Sequence, residues 1–339
     1  MAGSTPVLLH PTDFRAVMGG ADQTVTSTPF TITRPAAAAL KKAPMNVGRY
    51  EILEIIGSGA NGSVMRAHDP MIGRLVAIKL LPPELAKGEA RNRFLQEARV
   101  VGQLSHPSII TLHDMGIEES TSTPYLVMEF LNGQSLDRIL EKGSVPTMRA
   151  CAWVAEVACA LAAAHRKGVI HGDVKSANIL ITEDGRVKLM DFGMARVAAR
   201  EQASMPLSGT PAYWCPEQIM GKPQDGRSDL FSLGIVLYEL VTKQRPFDAD
   251  SLQGVCNRIL AHEPLPASHI NASLSTMFNE VVARCLSKDP NRRYPSGEEL
   301  ANDLYPFARR KVSGQAVGRL IKTQNQTFGS GTGKYKRLA

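Results

Sequence analysis

Long apolar segments are missing from this 339-residue sequence. No uninterrupted apolar run approaches the roughly 20 residues that a helix needs to cross a bilayer. The first thirty residues also lack the basic start, apolar block and small-residue cleavage site of a secretory signal. We therefore expect no membrane span and a cytoplasmic location. The 43% hydrophobic content is enough for a sizeable buried core.

Paired cysteines are missing too. Five cysteines are scattered along the chain without any C-x-x-C pair or metal-like spacing. An odd number without pairing fits a compartment that keeps thiols reduced. We expect these cysteines to act as small buried or half-buried apolar residues.

Acidic residues are absent from Arg309 to the end of the chain, where eight Lys and Arg residues occur. Removing those eight from the 39 basic residues leaves 31, against 32 acidic residues. The net charge of +7 therefore belongs to residues 309–339, which we interpret as a solvated basic tail. The tail could touch anionic partners or lipid, but we expect no nucleic-acid partner.

The rest of the chain divides by its residue pattern. Residues 1–48 are rich in Thr, Pro and Ala without a sustained period, which predicts a poorly ordered extension. Strand-like runs then dominate residues 49–131, and helical patterns dominate residues 132–308. This order predicts an α+β fold with a small antiparallel β-rich lobe and a larger, mainly helical lobe. The chain crosses between them near residues 129–133, and no internal repeat is found.

Individual elements follow from local pattern. Strands are predicted in RYEILEII, SVMRAHDP, GRLVAIKLLP, IITLHDMGI and PYLVMEFL. A helix is predicted in GEARNRFLQEARVVGQLSHP, ending at His106–Pro107 because the residue before a proline disfavours helix. Later helices are predicted in SLDRILEKG, in the long segment that ends at Gly168 and from SDLFSLGIVLYELVTKQ onward. ILITEDGRVKLMD predicts a hairpin about Asp184–Gly185.

A glycine-rich stretch, GSGANGSV, places Gly57, Gly59 and Gly62 between two predicted strands. A dinucleotide site uses the same glycine spacing but needs a following helix, and here a strand follows. A glycine-rich hairpin lets backbone N–H groups approach phosphates closely because no Cβ intervenes. An ordinary flexible hairpin is the alternative.

A buried charge is predicted in VAIK. Lys79 ends an apolar alternation that buries its stem, and a buried ammonium is costly unless an anion meets it. Glu97 is a suitable partner because it shares a helical face with Phe94, Val101 and Leu104. The alternative is that Lys79 and Glu97 are two unrelated surface residues.

Polar side chains also gather in VIHGDVKSANIL and LMDFGMAR. Asp173 and Asp191 flank the predicted hairpin region that includes Asn178, so the three side chains can meet at one end of it. One carboxylate and the Asn oxygen form an oxygen-rich site suited to Mg²⁺. The other carboxylate can take a proton from a hydroxyl nucleophile.

In this set of motifs the sequence resembles the eukaryotic-like, Hanks-type protein kinases, and bacterial serine/threonine kinases most of all. The motifs GSGANGSV, VAIK, helix Glu97, HGDVKSAN, DFG, CPE and SDLFSLG occur in family order over residues 49 to about 308. The resemblance implies the two-lobed protein kinase fold, with ATP and Mg²⁺ as cofactors and Mn²⁺ as a substitute. It implies phosphoryl transfer to Ser or Thr of protein substrates.

The resemblance also assigns roles to residues. Gly57, Gly59 and Gly62 would cover the ATP phosphates, and Lys79, held by Glu97, would contact the α- and β-phosphates. Asn178 and Asp191 would bind the metal, Asp173 would orient the hydroxyl and accept its proton, and Lys175 would meet the γ-phosphate. The nucleotide-binding set implied by the family is completed by Ile56, Val64, Ala77, Met128, Glu129, Leu131 and Leu180. For Val64 and Ala77 a plain core role is the alternative.

Further family matches are structural. Glu217 of CPE would pair with Arg293, and Asp229 would brace the loop that carries Asp173. Cys215 stands where the family usually has Ala. Lys175 and Thr210 favour Ser/Thr over Tyr substrates.

Two rival functions share parts of this pattern. An aminoglycoside-type small-molecule kinase has the catalytic Asp and Asn but lacks the segment GTPAYWCPE. A pseudokinase would bind without catalysis, but Lys79, Glu97, Asp173, Asn178 and Asp191 are all present.

The sequence departs from the family at Gly172, because the family motif is usually H-R-D and here it is His171-Gly172-Asp173. The family arginine is the cation that a phosphorylated activation loop neutralises. We therefore expect activity that does not need phosphorylation of Ser204 or Ser208 through that pocket. The alternative is a tolerated variant in which Arg196 or Arg200 supplies the cation.

The extension over residues 1–48 contains Thr24, Thr26, Ser27 and Thr28. These residues suggest autophosphorylation sites that recruit a phosphothreonine-binding domain. A solvated tail without that role is the alternative.

Overall fold

A computed structural model describes residues 46–59, 62–81, 88–119, 121–192, 196–197 and 210–308. Most of the predicted extension, the whole basic tail and the candidate phosphorylation sites Ser204 and Ser208 lie outside these residues.

The first lobe is built on one antiparallel sheet of six strands in the order β1-β2-β3-β4-β6-β5. Its strands are β1 (Asn46–Val47), β2 (Tyr50–Gly59), β3 (Gly62–Asp69), β4 (Arg74–Leu80), β5 (Leu112–Glu118) and β6 (Thr123–Glu129). Alternating apolar residues such as Met65, Ile78 and Val127 are buried on one face. The predicted antiparallel sheet is therefore confirmed.

Helix α1 (Gly88–Val101) is the only α-helix among the described residues of this lobe. It buries Phe94 and Ala98 against Leu81 and Leu126 of the sheet region. The prediction that this helix continues to His106–Pro107 was wrong. The chain tightens after Val101 into bonds of shorter span, from Gln103 N–H to the Val100 carbonyl and from Leu104 N–H to the Val101 carbonyl. Gly102, a poor helix former, begins this turn.

The predicted strand IITLHDMGI also begins later than expected, at Leu112. Ile109 instead forms an isolated parallel bridge with Leu189. Ile110 N–H donates to the Leu189 carbonyl, and Leu189 N–H donates to the Ser108 carbonyl. This short segment therefore ties the first lobe to the second.

The second lobe begins with β7 (Gly133–Ser135) and is mainly helical, as predicted. Its helices are α2 (Leu136–Lys142), α3 (Thr147–His165), α4 (Pro216–Ile219), α5 (Gly226–Thr242), α6 (Leu252–Ala261), α7 (Ala267–Ile270), α8 (Thr276–Cys285) and α9 (Gly297–Ala308). α3 and α5 contribute long series of fully buried apolar residues to one large core.

Helix α3 also has the length and composition of a membrane span, with a mean hydropathy of 1.3 over 18 residues. It reaches this value although Arg149 and Glu156 interrupt it. In the structure 61% of that stretch is buried, which is typical of the core helix of a folded domain.

Short, buried strands and turns of the second lobe carry the polar motifs. β8 (Val169–Ile170) leads through the segment 171–175 to a 3₁₀ turn, Ser176–Asn178. β9 (Ile179–Thr182) and β10 (Val187–Leu189) form the predicted hairpin, and β7 pairs with β9 on its other side. β11 (Arg196–Val197) pairs with β8.

A buried ion pair joins α4 to the segment that precedes α9. Arg293 Nη1 lies 2.7 Å from Glu217 Oε1, and both side chains are almost fully buried. The guanidinium also donates to the backbone carbonyls of Ser287, Lys288 and Arg227. The predicted pair is confirmed, and these extra bonds satisfy the Arg293 guanidinium, which burial would otherwise leave unsolvated.

Candidate active site

A cavity of about 790 Å³, partly open to solvent, contains most of the predicted nucleotide-binding residues in its wall. Those present are Ile56, Gly57, Val64, Ala77, Lys79, Met128, Glu129, Leu131 and Leu180, and the two predicted metal ligands, Asn178 and Asp191, line the same wall. The sheet of the first lobe supplies one side, and β9 with the residues flanking β10 supplies the other. Tertiary folding thus brings together residues separated by more than 100 positions.

Four lining residues were missed by sequence reasoning. They are Ile110, Ser135, Ala177 and Met190. Phe130 also lines the cavity, within the predicted crossing segment 129–133. Ala177 and Met190 each neighbour a predicted residue in the chain, so adjacency to a motif was an available signal. Ile110 and Ser135 belong to no motif.

The glycine-rich hairpin is only partly in the cavity wall. Gly57 lines it, whereas Gly59 and Gly62 pair with each other at the end of β2 and β3. Gly62 has φ +102°, and a Cβ there would lie 2.0 Å from the Leu80 carbonyl oxygen. Close packing on β4 therefore requires this glycine whether or not a ligand is bound.

The polar end of the cavity holds an ion pair between Lys79 and Asp191. Lys79 is only 5% exposed, because β4 lies between β3 and β6. Burial would raise the pKa of the Asp191 carboxyl, but the Lys79 ammonium outweighs it and holds the pKa below its ordinary value. Asp191 also has φ +63°, a strained backbone conformation for a residue with a side chain.

Glu97 reaches the same region from α1. Together with Lys79 and Asp191 it lines a second, smaller cavity behind Met128. Its neighbours in the helix, Phe94 and Ala98, are buried against the sheet. The prediction that Glu97 points inward is therefore confirmed.

Asp173, Lys175 and Asn178 form a compact cluster in the segment 171–178, which we call the polar loop. Lys175 Nζ lies 2.7 Å from Asp173 Oδ2. Asn178 Nδ2 donates to the Asp173 carbonyl at 2.8 Å and to Asp173 Oδ2 at 3.1 Å. These bonds leave the Asn178 amide oxygen as the atom that can face a cation.

The polar loop is held from below by Asp229 of α5. Its carboxylate accepts the backbone N–H groups of His171 at 2.8 Å and of Gly172 at 2.9 Å. His165 Nε2 lies 2.7 Å from the same carboxylate. Burial opposes ionisation of Asp229, yet these donors keep its pKa below the ordinary value. The predicted bracing role is confirmed.

His171 connects the polar loop to the segment around Asp191. Its Nδ1 accepts from the Asp173 N–H at 3.2 Å, and its Nε2 lies 2.9 Å from the Met190 carbonyl. This pattern requires a proton on Nε2 and none on Nδ1. The imidazole also packs on the Phe192 ring with 4.6 Å between centroids.

Gly172 has a structural explanation that the sequence did not reveal. Its φ is +74°, in the left-handed region where a side chain is strained. Its N–H donates to Asp229, and its carbonyl accepts from Gln218 Nε2 at 3.2 Å. Glycine therefore fits this tethered conformation without strain.

Comparison with known proteins places these features in one family. The protein kinase domain profile matches residues 50–305. The chain is 38% identical over 299 residues to the serine/threonine-protein kinase PksC of Streptomyces coelicolor, covering 84% of this chain and 53% of that protein. It is 38% identical to the serine/threonine-protein kinase PknB of Mycobacterium leprae, covering 76% and 42%. This chain belongs to the protein kinase family.

The fold agrees with that assignment. The crystal structure of the Mycobacterium tuberculosis PknI kinase domain superposes with a TM-score of 0.63 at 26% identity, covering 79% of this chain and 99% of that one. The expected two-lobed protein kinase fold is thus confirmed, and kinases of this family use ATP and a divalent metal. The chain spans about half the length of the curated relatives it matches.

The metal-ligand chemistry of this kinase is sparse but suitable. No group of three or more His, Cys, Asp or Glu side chains placed to hold a metal occurs among the described residues. Asn178 and Asp191 instead offer one amide oxygen and one carboxylate at the cavity wall. Such a set fits a hard cation that keeps water and takes phosphate oxygens as its other ligands.

A further ion pair of the kinase lies at the crossing between lobes and involves the side chain of Glu129. Lys188 of β10 is buried, and its Nζ lies 2.6 Å from Glu129 Oε1. The same oxygen accepts the Thr111 N–H at 2.8 Å. Burial would raise the pKa of Glu129, but these donors hold it below its ordinary value.

Lys188→Met is expected to destabilise the kinase in a pH-dependent way. The pKa of Glu129 is depressed on folding, so its ionised form stabilises the fold above the unfolded value of 4.5 and loses this effect as pH falls through the folded value. Urea unfolding should show wild type more stable than the variant at pH 7, with the difference shrinking below pH 4.5. A difference that stays constant with pH contradicts this account.

Proposed function

We propose that this chain is a serine/threonine protein kinase that transfers the γ-phosphoryl group of ATP to Ser and Thr hydroxyls of proteins, itself included. The observation that carries the proposal is the cluster of Asp173, Lys175 and Asn178 beside a cavity whose wall holds Lys79 and Asp191. Lys175 next to Asp173 is the family feature that favours Ser/Thr substrates. The names of the curated relatives support the same substrate class.

The proposed domain organisation follows the sequence pattern. An extension over residues 1–48 precedes a kinase domain over 49–308, with an N-lobe over 49–131 and a C-lobe over 132–308. The basic tail covers 309–339. A cytoplasmic location stays a prediction, which the five free thiols support.

Nucleotide binding is assigned to the cavity described above. Val64, Ala77 and Leu180 offer apolar contacts to the adenine, and Ile56 and Met128 extend this surface. The backbone from Glu129 to Leu131 supplies hydrogen-bonding groups at the crossing between lobes. Lys79, supported by Glu97, meets the α- and β-phosphates, and Gly57, Gly59 and Gly62 cover them.

Asn178 and Asp191 would hold Mg²⁺, which neutralises phosphate charge when it is bound. The depressed pKa of Asp191 keeps its carboxylate ionised and ready for this role. The strained backbone of Asp191 supports the same assignment, since strain of this kind clusters at functional sites.

Asp173 is assigned to the substrate hydroxyl. Its carboxylate orients the hydroxyl and accepts the proton as the new O–P bond forms and the bond to ADP breaks. The Asn178 amide and the Lys175 ammonium contact Asp173 Oδ2, so the carboxylate is held in one orientation. Lys175 would stabilise charge on the transferred group.

Asp173→Asn should lower phosphate incorporation from labelled Mg·ATP by about 10²-fold or more, because the carboxamide cannot accept the proton. Nucleotide affinity, measured by calorimetry, should stay near wild type. Asp184→Asn, at the exposed hairpin turn, is the matched control and should incorporate phosphate normally. Equal incorporation in wild type and Asp173→Asn would defeat the proposed mechanism, and none in wild type would favour the pseudokinase.

The glycine at position 172 supports a proposal about regulation. It removes the cation through which a phosphorylated activation loop usually acts, while Asp229 still holds the loop backbone. We assign to this kinase an active state that does not require phosphorylation through that pocket. The alternative cations belong to Arg196, whose side chain is not described, and to Arg200, which lies outside the described residues.

The double variant Ser204→Ala with Ser208→Ala should keep phosphoryl transfer within about threefold of wild type, because the proposed active state needs no phosphate on either serine. Activity is read from labelled-ATP incorporation into a protein substrate. Loss of transfer with normal ATP binding would rule out the proposal.

The extension over residues 1–48 supports a proposal about a binding partner. We propose that Thr24, Thr26, Ser27 or Thr28, which lie outside the described residues, become autophosphorylated and recruit a phosphothreonine-binding domain.

Mass spectrometry of wild type after incubation with Mg·ATP should find phosphate before residue 49, and the Asp173→Asn variant should show none there. If active wild type carries no phosphate before residue 49, the proposed autophosphorylation of the extension is wrong.

A further inference from the structure

A serine without an assigned role lies inside the polar loop. Ser176 directly follows Lys175 and begins the 3₁₀ turn that ends at Asn178. Its side chain is fully buried, with a relative exposure of 0%. A buried hydroxyl needs a hydrogen-bond partner, since leaving it unpaired is costly.

The partner of Ser176 is Glu239 of α5. The Ser176 hydroxyl donates to Glu239 Oε2. The Tyr213 hydroxyl donates to the same oxygen at 2.6 Å and lies 3.3 Å from Ser176 Oγ. One carboxylate oxygen therefore gathers two hydroxyl groups from distant parts of the chain, and bonds to an ionised acceptor are the stronger kind.

Tyr213 connects this cluster to the segment 210–214. It ends the 3₁₀ turn Pro211–Tyr213, and its N–H donates to the Thr210 carbonyl. Its own carbonyl accepts from Ser232 Oγ of α5 at 2.7 Å. Burial and Glu239 raise the pKa of the Tyr213 phenol well above its ordinary value, so it remains a donor.

We propose that Ser176 is a positioning residue that fixes the polar loop to the segment 210–214 through the shared Glu239 carboxylate. The tie runs through the buried side chains of Ser176 and Tyr213 and the half-buried side chain of Glu239, and it involves no phosphate. It fixes the position of the loop that carries Asp173 and Lys175 relative to the segment 210–214, which a protein substrate would contact. This last step rests on the proposed kinase function, whereas the tie itself does not.

Hydrogen–deuterium exchange of the full chain tests the tie directly. Ser176→Ala should raise exchange of the Tyr213 and Trp214 amides by about tenfold, the scale of one lost hydrogen bond to a charged group. Tyr213→Phe should loosen residues 171–178 in return, because it removes the other donor to the same oxygen.

Thr242→Val is the matched control. It also removes a buried hydroxyl of α5, bonded to the Tyr238 carbonyl at 2.7 Å and to the Gln244 carbonyl at 3.0 Å, neither of which belongs to the polar loop. It should leave both segments at wild-type exchange. Wild-type exchange of residues 212–214 in Ser176→Ala, or an equal rise in Thr242→Val, overturns the proposal. If Ser176→Ala fails to fold, the exchange of residues 171–178 in Tyr213→Phe decides alone.

A second readout separates positioning from general stability. With a synthetic Ser/Thr peptide that wild type phosphorylates, Ser176→Ala should raise the peptide KM about tenfold while the KM for ATP stays unchanged. Equal changes in both constants overturn the positioning role. The exchange experiment needs no phosphoryl transfer, so it tests the tie even if the wild type is inactive. Ser176→Ala should raise the exchange of the Tyr213 and Trp214 amides in an Asp173→Asn background as well. Failure of the kinase proposal is therefore seen separately from failure of the tie.

Discussion

The buried carboxylate of Asp229 is the constraint on which the rest of the site depends. It sits in the core helix α5 and accepts the backbone N–H groups of His171 and Gly172, while His165 contacts it from α3. A loop rich in polar groups would otherwise have no ordered place between buried strands. The helical core therefore fixes the position of Asp173.

Beyond Asp229, several other side chains join the segments of the site to one another. His171 joins the polar loop to the Met190 carbonyl and the Phe192 ring. Ser176 and Tyr213 both donate to the Glu239 carboxylate, and Lys188 forms an ion pair with Glu129 at the crossing between lobes. Each connection pairs a buried polar group, which is how a protein keeps such groups inside without a large energetic cost.

Much of the fold and of the candidate site followed from sequence patterns. Alternation in β2 to β4, the helical spacing around Phe94 and the ordered motifs around Lys79, Asp173 and Asp191 were informative because each depends on residues close in the chain. The end of α1 was misplaced by five residues, because Pro107 was treated as the stop and the turn at Gly102 was overlooked. Ile110 and Ser135 were missed because no local pattern marks a residue that reaches the cavity only through long-range packing.

The sequence by itself determined the family, the order of the motifs and the residue types that the chemistry needs. Tertiary structure alone decided that Gly172 occupies a left-handed conformation, that Lys188 pairs with Glu129 and that Ser176 shares an acceptor with Tyr213. The physical reason is that these features join residues 37 to 63 positions apart or depend on a backbone angle. Local propensity describes short segments, whereas hydrogen-bond partners and burial are set only when those segments pack together.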